Sequence, residues 1–189
     1  MYKQQLPIIL ASKSPRRQEL LQQMDLDFKV ILKDVDESYP EGLSPAEIAV
    51  YIAEKKAKAF LADEPDSIVI TADTIVAYEG EIMGKPEDAK HADQMLTKLS
   101  GTVHEVYTGV SLIYNGEILS FFDLTEVSFR ELSTEQIRYY IENYKPFDKA
   151  GAYGIQDWIG MVAVEKIIGS YTNVMGLPTE KLYTALMAI

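Results

Sequence analysis

The chain has 189 residues, is 47% hydrophobic and carries a formal net charge of −11. That length and composition suit a single domain over residues 1–189, or two closely packed lobes forming one continuous unit, with an ordinary globular core. The acidic balance excludes a broad nucleic-acid surface, which needs a basic face to neutralise phosphates, but it leaves room for a small anion in a local positive pocket. The absence of cysteine excludes disulfides, thiolate metal sites and a cysteine nucleophile.

In chain order, "PIILA" (Pro7–Ala11) predicts a short buried strand. Ser14 then caps a helix with Pro15 at its first position, and Leu20, Leu21 and Met24 give it an apolar stripe. "FKVIL" (Phe28–Leu32) predicts a second strand, followed by an acidic loop with Asp34, Asp36 and Glu37. "SPAEIAVYIAEKKAKAFLA" opens on a capping box, Ser44 with Glu47, and predicts a helix that buries Ile48, Tyr51, Ile52 and Ala59. A buried strand over Ile68–Thr71 ends at Asp73, and a hairpin turns at Glu79-Gly80. "EDAKHADQMLTKLSG" predicts a helix stopped by Gly101. Strands over Val103–Tyr114 and Glu117–Leu132 are joined by Asn115-Gly116, a strong two-residue hairpin signal. Ser133 with Gln136 caps the next helix. The loop "KPFDKAGAYGIQ", a strand "GMVAVEKIIG" and a closing helix "PTEKLYTALMAI" complete the chain. Helices alternate with strands while hairpins dominate the middle, which predicts a mixed sheet flanked by helices rather than a purely parallel one.

No apolar run approaches the roughly 18–20 residues of a membrane span. The opening "MYKQQLPIILASKS" has no leader-peptide pattern, so a soluble, cytoplasmic protein with no membrane partner is expected.

Four stretches carry candidate chemistry. In "LASKSPRRQELL" a strand–loop–helix junction aims free N–H groups at whatever precedes the helix. Ser12 and Ser14 add hydroxyls there, and Arg16 and Arg17 add forked cations suited to phosphate. Cations at a helix N-terminus are unfavourable alone and become favourable if an anion binds. The ordinary alternative is a capped helix whose arginines pair with surface carboxylates. In "TADT" Asp73 on a strand end suits a metal ligand or a base toward water, the alternative being a turn aspartate. In "GKP" Lys85 leaves a tight turn in a defined direction. Glu37 and Lys56 are weaker candidates on their own. In "DKAGAYGIQ" small residues allow close backbone approach to a ligand, Tyr153 offers a flat face, and Gln156 offers a paired donor and acceptor. His91 and His104 lack metal spacing and are expected to be structural or surface residues.

In this order, "LASKSPRRQELL", "EKKAKA", "ADT", "GKP", "DKAGAYGIQ" and "GSYTNVMGLP" make a chain that resembles the Maf family of nucleotide pyrophosphatases from about Leu10 to the closing helix. The resemblance implies hydrolysis of a nucleoside triphosphate to the monophosphate and pyrophosphate, assisted by Mg²⁺ or Mn²⁺. It also implies an α/β fold with a mixed, curved sheet flanked by helices, two lobes with a central cleft, and usually a homodimer. The family's proton acceptor falls on Asp73, its cleft glutamate and lysines on Glu37, Lys56 and Lys85, and its metal ligands on Asp73 and Glu37. Arg16, Thr74 and Gln156 match the branch acting on dTTP and UTP; the branch resembling 7-methyl-GTP pyrophosphatases carries Trp, Gln and Glu instead. A side-chain amide answers both the N–H and the carbonyl of a uracil edge, whereas a carboxylate offers only acceptors. Asp157 and Trp158 stand where the family often has Gly and small residues, and Asp157 is expected to add charge near the base pocket. Two other classes stay open: a nucleotide-binding regulator of cell division with little catalysis, and a protein-interaction module whose basic cluster binds acidic partners.

Overall fold

The computed structural model describes residues 4–63 and 66–189, so the first three residues of the opening stretch lie outside the described part. The chain divides into two compact units. Unit 1 comprises Met1–Asp73, Thr108–Asp123 and Gly176–Ile189, and unit 2 comprises Thr74–Tyr107 and Leu124–Met175. A seven-stranded sheet has the order β2-β1-β3-β5-β6-β7, with β4 paired to β3. Its pairing is mixed, as expected. Strand β1 (Ile8–Leu10) runs parallel to β2 (Phe28–Val30) and to β3 (Ile68–Tyr78), while β3 pairs antiparallel with β4 (Glu81–Met83) and β6 (Glu117–Phe129) with β7 (Val164–Ile168). A register shift at Ser128/Phe129 interrupts the β6–β7 ladder, the kind of irregularity that bends a strand. Strand β5 (Val103–Tyr114) meets β6 through Asn115 and Gly116, both at positive φ, as a two-residue hairpin requires.

Local chemistry sets most helix starts. Ser14 caps α1 (Pro15–Gln23), and capping boxes at Ser44/Glu47 and Ser133/Gln136 open α2 (Pro45–Lys58) and α4 (Thr134–Tyr144). Asp88 caps α3 (Ala89–Leu99), and α3 packs against α4. Three expectations are corrected. Strand β3 does not end at Asp73 but continues to Tyr78, because the hairpin to β4 extends its ladder. The first half of "GMVAVEKIIG" is helical, α5 (Trp158–Ala163), which leaves five residues to β7. On α2 the buried side is Ile48, Ala49, Ile52, Ala53 and Ala57, so Tyr51 and Ala59 face out. The short helix α6 (Tyr171–Met175) was not legible, whereas the closing helix α7 (Thr179–Met187) was.

In unit 1, Ile9, Ala57, Phe60, Val69 and Ile113 form a core cluster that joins β1, α2, β3 and β5. A Cβ on Gly109 would lie 2.3 Å from the Ala49 backbone, so α2 sits directly on β5 there. That seat places the polar end of α2 and makes any side chain at 109 disruptive. Among the described residues no helix is long and apolar enough to cross a membrane.

Candidate functional site

In unit 1 the register between α2 and β3 builds an ionic cluster. The buried Thr71 hydroxyl donates to the Ala53 carbonyl at 2.7 Å and locks strand to helix. Two residues along β3 on the same face comes Asp73, and three residues along α2 comes Lys56. The Lys56 ammonium accordingly donates to Asp73 Oδ1 at 2.8 Å and sits 2.8 Å from Glu37 Oε1. The Lys56 and Asp73 side chains are only 17% and 16% exposed, against 52% for Glu37. The Lys56–Asp73 contact is therefore the better shielded, and Glu37 is held more weakly.

Just before α1, Ser12 Oγ accepts from the Ser14 backbone N–H, and Ser14 Oγ accepts from the Arg17 backbone N–H as the helix cap. Of the two adjacent arginines, Arg17 reaches back over the start of its own helix. Arg17 donates to the carbonyls of Ala72 (2.9 Å) and Gly176 (2.7 Å) and to Ser12 Oγ (3.2 Å). It clasps the peptide just before Asp73 rather than serving as a second phosphate fork, a correction to the sequence reading. Burial lowers its pKa; the Asp73 carboxylate opposes that shift, Arg16 adds to it, and Glu37 opposes it. Those couplings place Arg16, Arg17, Glu37 and Asp73 within one electrostatic neighbourhood. The only sequence signal for the inward arginine was its position one residue further along the helix.

In unit 2 two of the chosen stretches meet. The Gly151 N–H donates to the Gly84 carbonyl, tying "AGAYGIQ" to the "GKP" turn that carries the exposed Lys85. A Cβ on Gly151 (φ +66°) would press on Val76 at 3.0 Å, so the loop lies close against β3, two residues beyond Thr74. Tyr153 is not a flat platform for a ligand. It is buried, bonds His104 Nε2 through its hydroxyl at 2.8 Å, and packs edge-on against His104 and Phe129. Burial pushes the His104 pKa down to about 4, so this expected structural histidine is neutral near pH 7.

Gln156 sits within a turn closed by the Asp157 N–H donating to the Gly154 carbonyl at 3.0 Å. Its Oε1 is buried and has no hydrogen-bond partner among the described residues. The sequence leads one to expect an added charge from Asp157, and in the structure that carboxylate is engaged. Its Oδ2 accepts from the Tyr140 hydroxyl at 2.7 Å and lies 3.9 Å from Lys149 Nζ. Tyr140 was missed by sequence reading. The available signal was a polar-tipped aromatic on the buried stripe of α4, beside Ile137 and Ile141, where a hydroxyl needs a partner.

Among the described residues no group of three or more His, Cys, Asp or Glu side chains is placed to hold a metal ion. Glu37 and Asp73, however, converge on one cationic position, each 2.8 Å from the same ammonium. Mg²⁺ is ordinarily held by one or two carboxylates together with substrate phosphates, so this pair fits such an ion when a triphosphate supplies the remaining oxygens.

A model of the family described as Maf-like protein matches residues 7–189. The chain is 54% identical over 181 residues to a protein of Phocaeicola vulgatus, covering 95% of this chain and 94% of that one. It is 52% identical over 183 residues to a protein of Flavobacterium johnsoniae (96% and 94% covered) and 52% identical over 179 residues to one of Cytophaga hutchinsonii (95% and 82% covered). Each of the three is named dTTP/UTP pyrophosphatase. In fold alone the chain is similar to the structure of a HAM1 protein from Coxiella burnetii, with a TM-score of 0.51, 16% identity, and 97% of this chain and 100% of that one covered.

Proposed function

The chain belongs to the Maf-like protein family and is a hydrolase of the nucleotide pyrophosphatase class, and from that membership we propose that it converts dTTP and UTP to the monophosphate and pyrophosphate with divalent-metal assistance. Asp73 takes a proton from a water whose oxygen attacks the α-phosphorus. The bond from that phosphorus to the bridging oxygen breaks, and pyrophosphate leaves with the electron pair. Arg16 and Lys85 oppose the charge that gathers on it, while Ser12 and Ser14 offer hydroxyls to the phosphate chain. Lys56, already engaged with Asp73 and Glu37, orients both carboxylates. Asp73 and Glu37 would hold Mg²⁺ or Mn²⁺ together with the substrate's phosphates, and such an ion would supply neutralisation of the triphosphate charge.

Base preference falls to Gln156, with Thr74 and Arg16. A buried amide oxygen lacking a partner among the described residues suits the N3–H of uracil or thymine, and the amide nitrogen suits the neighbouring carbonyl. The observation that carries the reaction class is the Glu37–Lys56–Asp73 cluster, where two carboxylates share one ammonium at 2.8 Å. The substrates come from the relatives' names. A homodimer is part of the same reading, and light scattering tests it.

The deciding experiment is pyrophosphate release from dTTP, UTP, CTP and 7-methyl-GTP, with Mg²⁺, Mn²⁺ or a chelator. dTTP and UTP are expected to turn over fastest and the chelator to abolish release. Absence of release from every triphosphate would instead favour a nucleotide-binding regulator. Gln156→Glu is expected to lower kcat/KM for UTP about tenfold or more, with the metal dependence unchanged; an unaltered base preference would remove Gln156 from recognition.

A further inference from the structure

The turn that carries Gln156 is gripped at both ends by one hydroxyl. Tyr140 Oη donates to Asp157 Oδ2 at 2.7 Å and accepts from the Gly154 N–H at 3.0 Å. Gly154 and Asp157 are also the two residues whose backbones close the turn, so Ile155 and Gln156 hang between fixed points. The fit leaves no slack: a Cβ on Gly154 would lie 2.6 Å from Asp157 Oδ2. Immediately upstream, Gly151 and Ala152 both take positive φ, +66° and +59°, a conformation an alanine keeps only when its surroundings impose it. Tyr140 is itself fully buried on α4 and stacked on Tyr144 at 5.1 Å. Burial and then the bond to Asp157 raise its pKa, so the hydroxyl stays protonated and donating at any working pH. Lys149, 3.9 Å from Asp157 Oδ2 and 2.7 Å from Asp148 Oδ1, balances the carboxylate's charge.

We propose that Tyr140 and Asp157 are positioning residues for base selection: without touching the nucleotide, they hold the Gly154–Asp157 turn so that the Gln156 amide meets the base edge in a single orientation. This rests on the reading of Gln156 as the base-recognising residue. An amide free to swing presents its oxygen or its nitrogen with similar ease, and the distinction between a uracil and a cytosine edge then fades. The charged residue at 157 thus serves the selectivity of its neighbour instead of perturbing it.

The test compares Tyr140→Phe, Asp157→Ala and Asp157→Asn with Gln156→Ala. For each, kcat and KM are measured for UTP and CTP, and nucleotide titrations are followed by the fluorescence of Trp158, the chain's single tryptophan. That residue adjoins Asp157 and packs edge-on against Tyr139 at 4.9 Å. Tyr140→Phe and Asp157→Ala are expected to lower the UTP-to-CTP ratio of kcat/KM about tenfold, through KM for UTP and with kcat within about twofold. Asp157→Asn keeps an acceptor for the hydroxyl and is expected to retain the ratio within about threefold. A merely structural role would depress both substrates alike and leave the ratio where it was. Should Gln156→Ala collapse the ratio while folded Tyr140→Phe and Asp157→Ala proteins keep it, the positioning proposal is overturned alone. Should Gln156→Ala keep it too, the base-recognition reading and this proposal fall together. If Tyr140→Phe does not fold, the pair of substitutions at Asp157 decides.

Discussion

Of the candidate-site side chains in unit 1, those held in place by tertiary contacts are ions. Lys56 stands between Asp73 and Glu37, and Arg17 is drawn inward onto the Ala72 carbonyl. In unit 2 they are mostly neutral: Tyr140 on Gly154 and Asp157, and His104 on Tyr153, with the one carboxylate among them countered by Lys149. On the proposed reading, the contrast follows from what each set has to meet. A polyphosphate is recognised and cleaved through charge, so cations and carboxylates are kept close together. A pyrimidine edge is uncharged, and it is told from its competitors by the direction of donors and acceptors. Direction is secured by fixed backbone and neutral hydrogen bonds, which a nearby free charge would blur.

The sharpest way to break this comparison is at Asp73. Asp73→Asn is expected to cut kcat by about 10² or more with KM nearly retained, as loss of a base predicts; steady-state pyrophosphate release checks it, and near-normal turnover would take the base role away. Lys56→Met comes next. It leaves two carboxylates facing each other without their shared cation, so a kcat loss of roughly 30-fold is expected, together with a stability loss of about 2 kcal/mol in urea titration. Arg17→Lys keeps the charge but not the fork that reaches three oxygens. It is expected to cost about 1–2 kcal/mol, a fall in Tm of roughly 3–6 °C, and a smaller loss of kcat than Lys56→Met.

The effect with the least bearing on turnover lies in unit 2 and appears only against pH. His104 titrates at 6.5 when unfolded and at about 4 when folded. Between those values the unfolded chain binds more protons, so stability falls as pH drops from 6.5 toward 4, by up to roughly 3 kcal/mol from this group. Denaturant titrations of His104→Gln across that window are expected to give a flatter dependence than the unsubstituted chain. Equal slopes would mean that His104 is not held neutral by burial.

Much of the fold was legible because its signals are local. The caps at Ser14, Ser44 and Ser133, and the turns at Glu79-Gly80 and Asn115-Gly116, appear as expected because each is decided within four residues of chain. The misplaced pieces lacked such signals. "GMVAVEKIIG" is apolar enough for either helix or strand, and the outward turn of Tyr51 depends on how α2 sits at Gly109. Of the candidate site, Glu37, Lys56 and Asp73 were chosen one by one from the sequence, but their contact through one ammonium depends on the bond between Thr71 and Ala53.

By itself, then, the sequence determined the family, the mixed α/β class, the element starts and the inventory of reactive side chains, since capping, turn chemistry and motif order are properties of neighbouring residues. Tertiary structure alone decided that Arg17 clasps the Ala72 and Gly176 carbonyls, that Tyr153 is core rather than platform, and that Tyr140 reaches across 14 and 17 positions to grip the turn of Gln156. Those outcomes depend on distances between segments remote in the chain, which packing sets and no local pattern encodes.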